Sequence, residues 1–270
     1  MTIFQAIVLG IVQGFTEFLP ISSSAHLYLV PYIFGWNYQG LGFDVALHWG
    51  TLLSILIIFL KDYIRYVREI LPFPQSLPSQ GDGDKLMAWY LVLGSIPAAL
   101  AGFFFQSQAE TVFRNPWITV VTLSAFGILL WVADRRLLTS NSSLERGVEQ
   151  KMTWKKVLFI GFAQALAIVP GVSRSGATIT AGLFSKLSRQ EATRFAFLLS
   201  GPIVFGAGLV SIPNLDSFDM SLLAGFIASA TSGFIAIKFL LRYVGSQNFN
   251  LFVWYRILFA GIIALSLLMR

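Results

Sequence analysis

Cysteine is absent from the 270-residue chain, which excludes disulfides, thiolate nucleophiles and cysteine-ligated metals. Charge is nearly as scarce. Asp, Glu, Lys and Arg together make up 12% of the residues and His occurs twice, whereas about a quarter of a soluble domain is charged. That shortfall excludes a soluble globular enzyme. The 19 basic and 13 acidic residues leave a net charge of +6, too sparse and scattered to line a nucleic-acid groove. A basic stretch is also missing ahead of the first apolar run, which Gln13 and Glu17 interrupt. A cleaved signal peptide is therefore not expected, and the first segment is read as part of the mature protein. What is plentiful is apolar and aromatic surface: 56% hydrophobic residues, 25 Phe and 7 Trp, with a mean hydropathy of +0.71. The chain reads as an all-α polytopic membrane protein.

A spanning helix needs about 20 mostly apolar residues. Six stretches qualify, at roughly 44–60, 86–106, 117–133, 194–212, 221–241 and 251–269. Two other apolar regions are broken by proline. Residues 2–19 stop at Pro20, followed by Ser22, Ser23 and Ser24 and a short stretch at 25–35. Residues 157–169 stop at Pro170, followed by Ser173-Arg174-Ser175-Gly176 and a short stretch at 177–185. A helix of about ten residues is only about 15 Å long, half of a ~30 Å hydrocarbon core. Each broken pair is therefore expected to form a re-entrant hairpin. Unwound backbone at that depth is tolerated only where protein buries it or it lines a polar cavity.

Basic residues set the expected orientation. Lys61, Arg65, Arg68 and Lys85 mark one loop and Arg135, Arg136, Arg146, Lys151, Lys155 and Lys156 another; Lys186, Arg189, Arg194, Lys238 and Arg242 mark two further helix ends. The positive-inside rule makes these ends cytoplasmic. Loops 35–43 and 213–220 carry no Lys or Arg and 107–116 only Arg114. Both termini are then outside, with the first hairpin entering from outside and the second from the cytoplasm. An offset of 151 residues lays Gly10 to Gln13 on Gly161 to Gln164, Ser22 to Ser24 on Ser173 to Ser175, and Gly50 on Gly201. Three spans separate the two hairpins, so the repeats are inverted, an arrangement that places polar sites near the midplane of many transporters. One membrane domain over 1–270 is expected, with halves 1–134 and 152–270 joined by a cytoplasmic loop at 135–156.

Apart from those near helix ends, few ionisable residues fall in the apolar regions: Glu17, His26, His48, Arg174 and, at a margin, Asp44. An ionised group at mid-bilayer costs on the order of 3 kcal/mol, which points to function or to a plain Glu17–Arg174 bridge. Gln13 and Glu17 are four residues apart and share a helix face ahead of Pro20. A carboxylate beside an amide oxygen can hold a hard divalent cation completed by waters and phosphate oxygens; a buried polar pair is the alternative. Ser22, Ser23 and Ser24 supply hydroxyls at a helix start, with His26 within one turn. They read either as a Ser–His nucleophile and base or as ordinary N-caps. In the second hairpin, small residues expose backbone N–H groups and Arg174 adds a bidentate fork, an anion cradle with no Walker lysine. His48 is read as hydrogen-bonded packing. Tyr255-Arg256 is read as an interface anchor.

The segments from Gln13 through Glu17 and Pro20 to His26, and from Pro170 to Ile179, closely resemble the undecaprenyl-diphosphatase family of bacteria, as do length and span pattern. That resemblance implies hydrolysis of undecaprenyl diphosphate to the monophosphate carrier used for peptidoglycan, and bacitracin resistance. It implies dependence on a divalent cation, Mg²⁺ or Ca²⁺, and a site toward the outer face of the bacterial plasma membrane. Its motifs place catalysis on Glu17, Ser23, His26 and Arg174. Diphosphate binding falls on Ser22, Ser24, Ser173, Ser175, Gly176 and Thr178, and the cation on Glu17 with Gln13. Many members carry glutamate where this chain has Gln13. The expected partners are a polyprenyl diphosphate and the surrounding lipids, with room for a homo-oligomer and none for nucleic acid. A transporter or flippase of a lipid phosphate or other anion is the alternative function.

Overall fold

A computed structural model describes residues 1–37, 40–70, 82–139, 152–211 and 219–269. Arg146 and Lys151, with all of 140–151 in the loop 135–156, lie outside the described residues. Helices occur in the order α1 (Ile3–Phe18), α2 (Ser23–Phe34), α3 (Leu41–Ile70), α4 (Asp82–Glu110), α5 (Pro116–Thr139), α6 (Trp154–Ala165), α7 (Arg174–Phe184), α8 (Arg189–Ser211), α9 (Met220–Tyr243) and α10 (Asn250–Leu268). No strand occurs among the described residues. Six helices (α3, α4, α5, α8, α9 and α10) are long and apolar enough to cross a membrane.

The remaining four are short for identifiable reasons. α1 begins at a capping box in which Gln5 N–H donates to Thr2 Oγ1 (3.2 Å) and Thr2 N–H to Gln5 Oε1 (2.9 Å). It ends two residues before Pro20, which lacks the N–H that would continue the helix. α6 starts at the Thr153 cap and runs into a 3₁₀ turn at Leu166–Ile168 before Pro170. With 16, 12, 12 and 11 residues in α1, α2, α6 and α7, none reaches about 30 Å at about 1.5 Å per residue. α3 runs well past its apolar stretch, to Ile70, through a polar turn that carries the Asp62–Arg65 pair.

The 151-residue offset recurs in the backbone. Thr2 and Thr153 both cap helices through their hydroxyls. Ser22 (φ 76) and Ser173 (φ 70) have positive φ at the two breaks, and Gly35 and Lys186 (both φ 65) have it after α2 and α7. Packing follows the same exchange: α1 lies along α9 as α6 lies along α4, and α3 on α9 as α8 on α4. Contact is close enough that a Cβ on Gly10 would sit 2.3 Å from the Gly225 carbonyl, and one on Gly161 2.6 Å from that of Gly94. Small residues of this kind let backbones approach where lipid supplies no hydrophobic drive.

The core gathers Phe18 from α1, Ile21 from the first break, Ile55 and Phe59 from α3, Phe197 from α8 and Ile237 from α9. At the end of the bundle marked by basic residues, acids bind the helices together. Arg65 reaches Asp84 on α4 (3.1 Å), Arg194 reaches Asp62 on α3 (2.8 Å), and Asp134 takes Arg189 (2.5 Å) and the Phe249 N–H (3.1 Å).

Candidate active site

The breaks 19–22 and 166–173 meet inside the bundle, and Glu17 in the last turn of α1 is where they join. Arg174, the first residue of α7, donates through Nη2 to Glu17 Oε1. The other carboxylate oxygen, Oε2, accepts from Ser23 Oγ (2.7 Å) and Gln13 Nε2 (3.1 Å), and His48 Nε2 lies 3.6 Å from it. α1, α2, α3 and α7 thus converge on one carboxylate. Its side chain is 5% exposed, against 18% for Arg174 and 34% for His48. With Ser23 half-buried and Ser24 exposed, the accessible groups around Glu17 are two hydroxyls, a guanidinium and an imidazole. Such a set suits an anion with several oxygens.

Each break is shaped by backbone that an L-residue adopts at a cost of roughly 1–3 kcal/mol. Ser22 adopts φ 76 with no side-chain cap bond, and its hydroxyl lies 3.2 Å from that of Ser24. Ser173 adopts φ 70, and its Oγ accepts from the Gly176 N–H (3.2 Å) and sits 3.3 Å from Ser175 Oγ. Ser175 Oγ donates across to the Leu19 carbonyl of the first break (3.1 Å). Thr178 Oγ1 donates back to the Arg174 carbonyl (2.8 Å) and is buried. Ser173, Ser175, Gly176 and Thr178 therefore build the α7 start, while Arg174 alone of that segment turns toward Glu17.

His26 does not face Ser23. Its Nδ1 lies 2.7 Å from the Ser22 carbonyl, which only accepts, so Nδ1 carries the proton there. In the neutral ring Nε2 then accepts from the Tyr255 hydroxyl at 2.7 Å. The ring stacks on Tyr255 and on Phe259, with centroids 5.6 and 4.1 Å away. The Ser–His pair expected from spacing is replaced by Ser23–Glu17, because α2 turns the fourth residue of its first turn toward α10.

Three residues outside the expected set enter the site. His48, read from sequence as packing, contacts Glu17 and fixes its other nitrogen on the Asp44 carbonyl (2.7 Å). Tyr255 holds His26. Arg256 is fully buried and bonds to backbone of both breaks, where an interface anchor was expected. The signal for Arg256 was present, since an arginine inside an apolar span calls for partners.

A cation finds limited protein ligands. Among the described residues no three His, Cys, Asp or Glu side chains form a metal-holding group. Gln13 Oε1, however, is buried without a hydrogen-bond partner beside Glu17. One carboxylate and one amide oxygen fit a hard divalent ion whose shell is completed by water and phosphate.

Known proteins resemble this chain over nearly its whole length. The undecaprenyl-diphosphatase of Pelotomaculum thermopropionicum is 47% identical over 269 residues, covering 99% of this chain and 97% of the relative. That of Moorella thermoacetica is 46% identical with 97% of each chain covered, and that of Elusimicrobium minutum 44% with both fully covered. The family model described as bacitracin resistance protein BacA matches residues 6–262, a stretch that contains both breaks and every residue around Glu17, and the chain belongs to that BacA family.

Proposed function

We propose that this chain hydrolyses undecaprenyl diphosphate to undecaprenyl phosphate and inorganic phosphate, recycling the lipid carrier of cell-wall synthesis and thereby conferring bacitracin resistance. The observation that carries the reading is the Glu17 carboxylate, which contacts both the Ser23 hydroxyl and the Arg174 guanidinium across two helix breaks. Full-length relatives named for this activity support hydrolysis over transport.

The chemistry follows from the contacts. The diphosphate displaces Glu17 as the partner of Arg174, whose fork holds the terminal phosphoryl oxygens. Ser23 Oγ attacks the terminal phosphorus as Glu17 Oε2, 2.7 Å away, takes its proton. The phosphorus–oxygen bond to the lipid phosphate breaks, and the undecaprenyl phosphate leaves as an anion. Water then attacks the phosphoserine; as the Ser23 Oγ–phosphorus bond breaks, the protonated Glu17 returns its proton to Ser23 Oγ, and the water's own protons leave on inorganic phosphate. His26 fixes the Ser22 carbonyl and so the start of α2, from which Ser23 projects. Glu17 and Gln13 would hold a divalent cation, Mg²⁺ or Ca²⁺, which would neutralise charge on the diphosphate when bound.

The reading places the protein in the bacterial plasma membrane with its site toward the outer face. The α1–α2 hairpin enters from outside and the α6–α7 hairpin from the cytoplasm, as inverted repeats. The ion-paired basic end of the bundle supports this orientation. Purified protein in detergent should release inorganic phosphate from undecaprenyl diphosphate without any gradient, and a rapid denaturing quench at neutral pH, which preserves both phosphoserine and phosphohistidine, should trap the phosphoryl group on Ser23. Transport without phosphate release would overturn the proposal, and label on His26 would reassign the nucleophile.

A further inference from the structure

Arg256 lies within the last spanning helix and is 0% exposed. A buried arginine ordinarily sits against a carboxylate, because an unpaired ion in low dielectric costs several kcal/mol. Here no carboxylate among the described residues lies within ion-pair distance of it. Its donors go to main-chain carbonyls. Nε bonds Leu123 O (3.0 Å), Nη1 bonds Pro20 O (3.2 Å), and Nη2 bonds Gly171 O (2.8 Å) and Val172 O (3.1 Å).

Those acceptors form a pattern. Pro20 and Gly171 are related by the 151-residue offset, each two residues before the positive-φ serine of its break. One guanidinium therefore grips equivalent carbonyls of both breaks. It presses on the start of α7 as well: a Cβ on Gly176 would stand 2.8 Å from Arg256 Nη1. α5 contributes from the same side, with Thr122 Oγ1 donating to Pro170 O (2.6 Å). The helix breaks leave Pro20 O and Gly171 O without helical partners, and five guanidinium N–H groups in a rigid fork are what can satisfy several such carbonyls at once. Carbonyl dipoles satisfy the donors and leave the positive charge uncompensated.

We infer that Arg256 is a positioning residue for phosphoryl transfer: it locks the two breaks in register, so that Ser23 and Glu17 from one face Arg174 from the other, and its unneutralised charge counts most as negative charge develops on the transferring phosphoryl group. This rests on the diphosphatase reading above. A displacement of about 1 Å in such a site costs on the order of 100-fold in rate.

The test uses full-length protein in detergent, with phosphate release from undecaprenyl diphosphate and thermal unfolding measured on wild type, Arg256→Gln and Arg256→Lys. Arg256→Gln should lose about 100-fold in kcat with KM changed less than about threefold, because substrate still meets Arg174. Arg256→Lys keeps the charge but cannot bridge both breaks, so it should recover about tenfold over Arg256→Gln. Both should stay folded at the assay temperature. A folded Arg256→Gln with kcat within about threefold of wild type overturns the inference. So do two variants that both fail to fold, or a loss of activity matched by the unfolded fraction, since either marks a strut and no more. Wild type that releases no phosphate overturns the diphosphatase reading and this inference with it, an outcome distinct from any on the variants alone.

Discussion

At the scale of single residues, Glu17 and Arg174 hold each other, and the proposed exchange of Glu17 for the diphosphate predicts opposite effects on KM of removing either. Glu17→Gln frees Arg174 for the diphosphate, so KM should stay level or fall while kcat drops about 100-fold or more for want of a proton acceptor. Arg174→Ala removes the fork that neutralises the transferring phosphoryl group, so KM should rise and kcat fall, with about 100- to 1,000-fold lost from kcat/KM. The double variant should be far less impaired than the product of the two losses, because groups that act as a unit are not additive. Steady-state phosphate release on the three proteins decides it; equal KM values in both single variants would count against the exchange of partners. Glu17 and Arg174 were legible in the sequence because an ion in an apolar run is costly enough to demand a reason. Ser23 was legible too, but its partner was not. The contacts that redirect His26 to Tyr255 and bring Arg256 to Pro20 span 229 and 236 residues. No local spacing encodes them.

At the scale of elements, the helix starts at the two breaks look alike but are stabilised differently. Ser173 combines a positive φ with a hydroxyl that caps Gly176, whereas Ser22 has a positive φ and no cap bond. Glycine relieves the backbone at either position. Ser22→Gly should therefore leave stability level or raise it by up to about 1 kcal/mol. Ser173→Gly also loses a cap of about 1 kcal/mol, so it should gain nothing. Thermal unfolding of both variants in one detergent gives the comparison, and a Ser22→Gly less stable than Ser173→Gly would refute it. Helix-to-helix contact gives a second prediction. A side chain on Gly161 meets the Gly94 carbonyl of α4, which is backbone and cannot swing aside. Gly161→Val should cost about 1–3 kcal/mol, whereas Gly102→Val, with open space around it, should cost under about 1 kcal/mol. The six spans and both breaks were readable from apolar run length and from Pro20 and Pro170. The polar continuation of α3 to Ile70 was not, since its charges hide the helix from a hydropathy criterion and are held by pairs such as Arg65–Asp62 and Arg65–Asp84.

At the scale of the whole molecule, the exchange symmetry of the packing and the opposed entry proposed for the hairpins make one joint prediction about sidedness. If the halves are inverted, points before the matching helices must lie on opposite sides of the membrane, and the absence of cysteine makes that measurable with a single introduced thiol. Asn37 follows α2, Lys155 opens α6 and Gln247 lies between α9 and α10; all three are exposed. Counting spans from the ion-paired basic end puts Lys155 and Gln247 with that end and Asn37 opposite it. An impermeant maleimide should therefore label Asn37→Cys in intact cells, while Lys155→Cys and Gln247→Cys react only after permeabilisation. Gln247 fixes the side of the long helices independently of either hairpin. Labelling of Asn37→Cys and Lys155→Cys from the same side would rule out inversion together with the three crossings of α3, α4 and α5 that separate them. Labelling of Gln247→Cys from outside would reverse the orientation and turn the accessible serines around Glu17 toward the cytoplasm. The sidedness matters chemically, because a phosphatase whose open groups face outward acts on diphosphate in the outer leaflet and leaves its lipid product there.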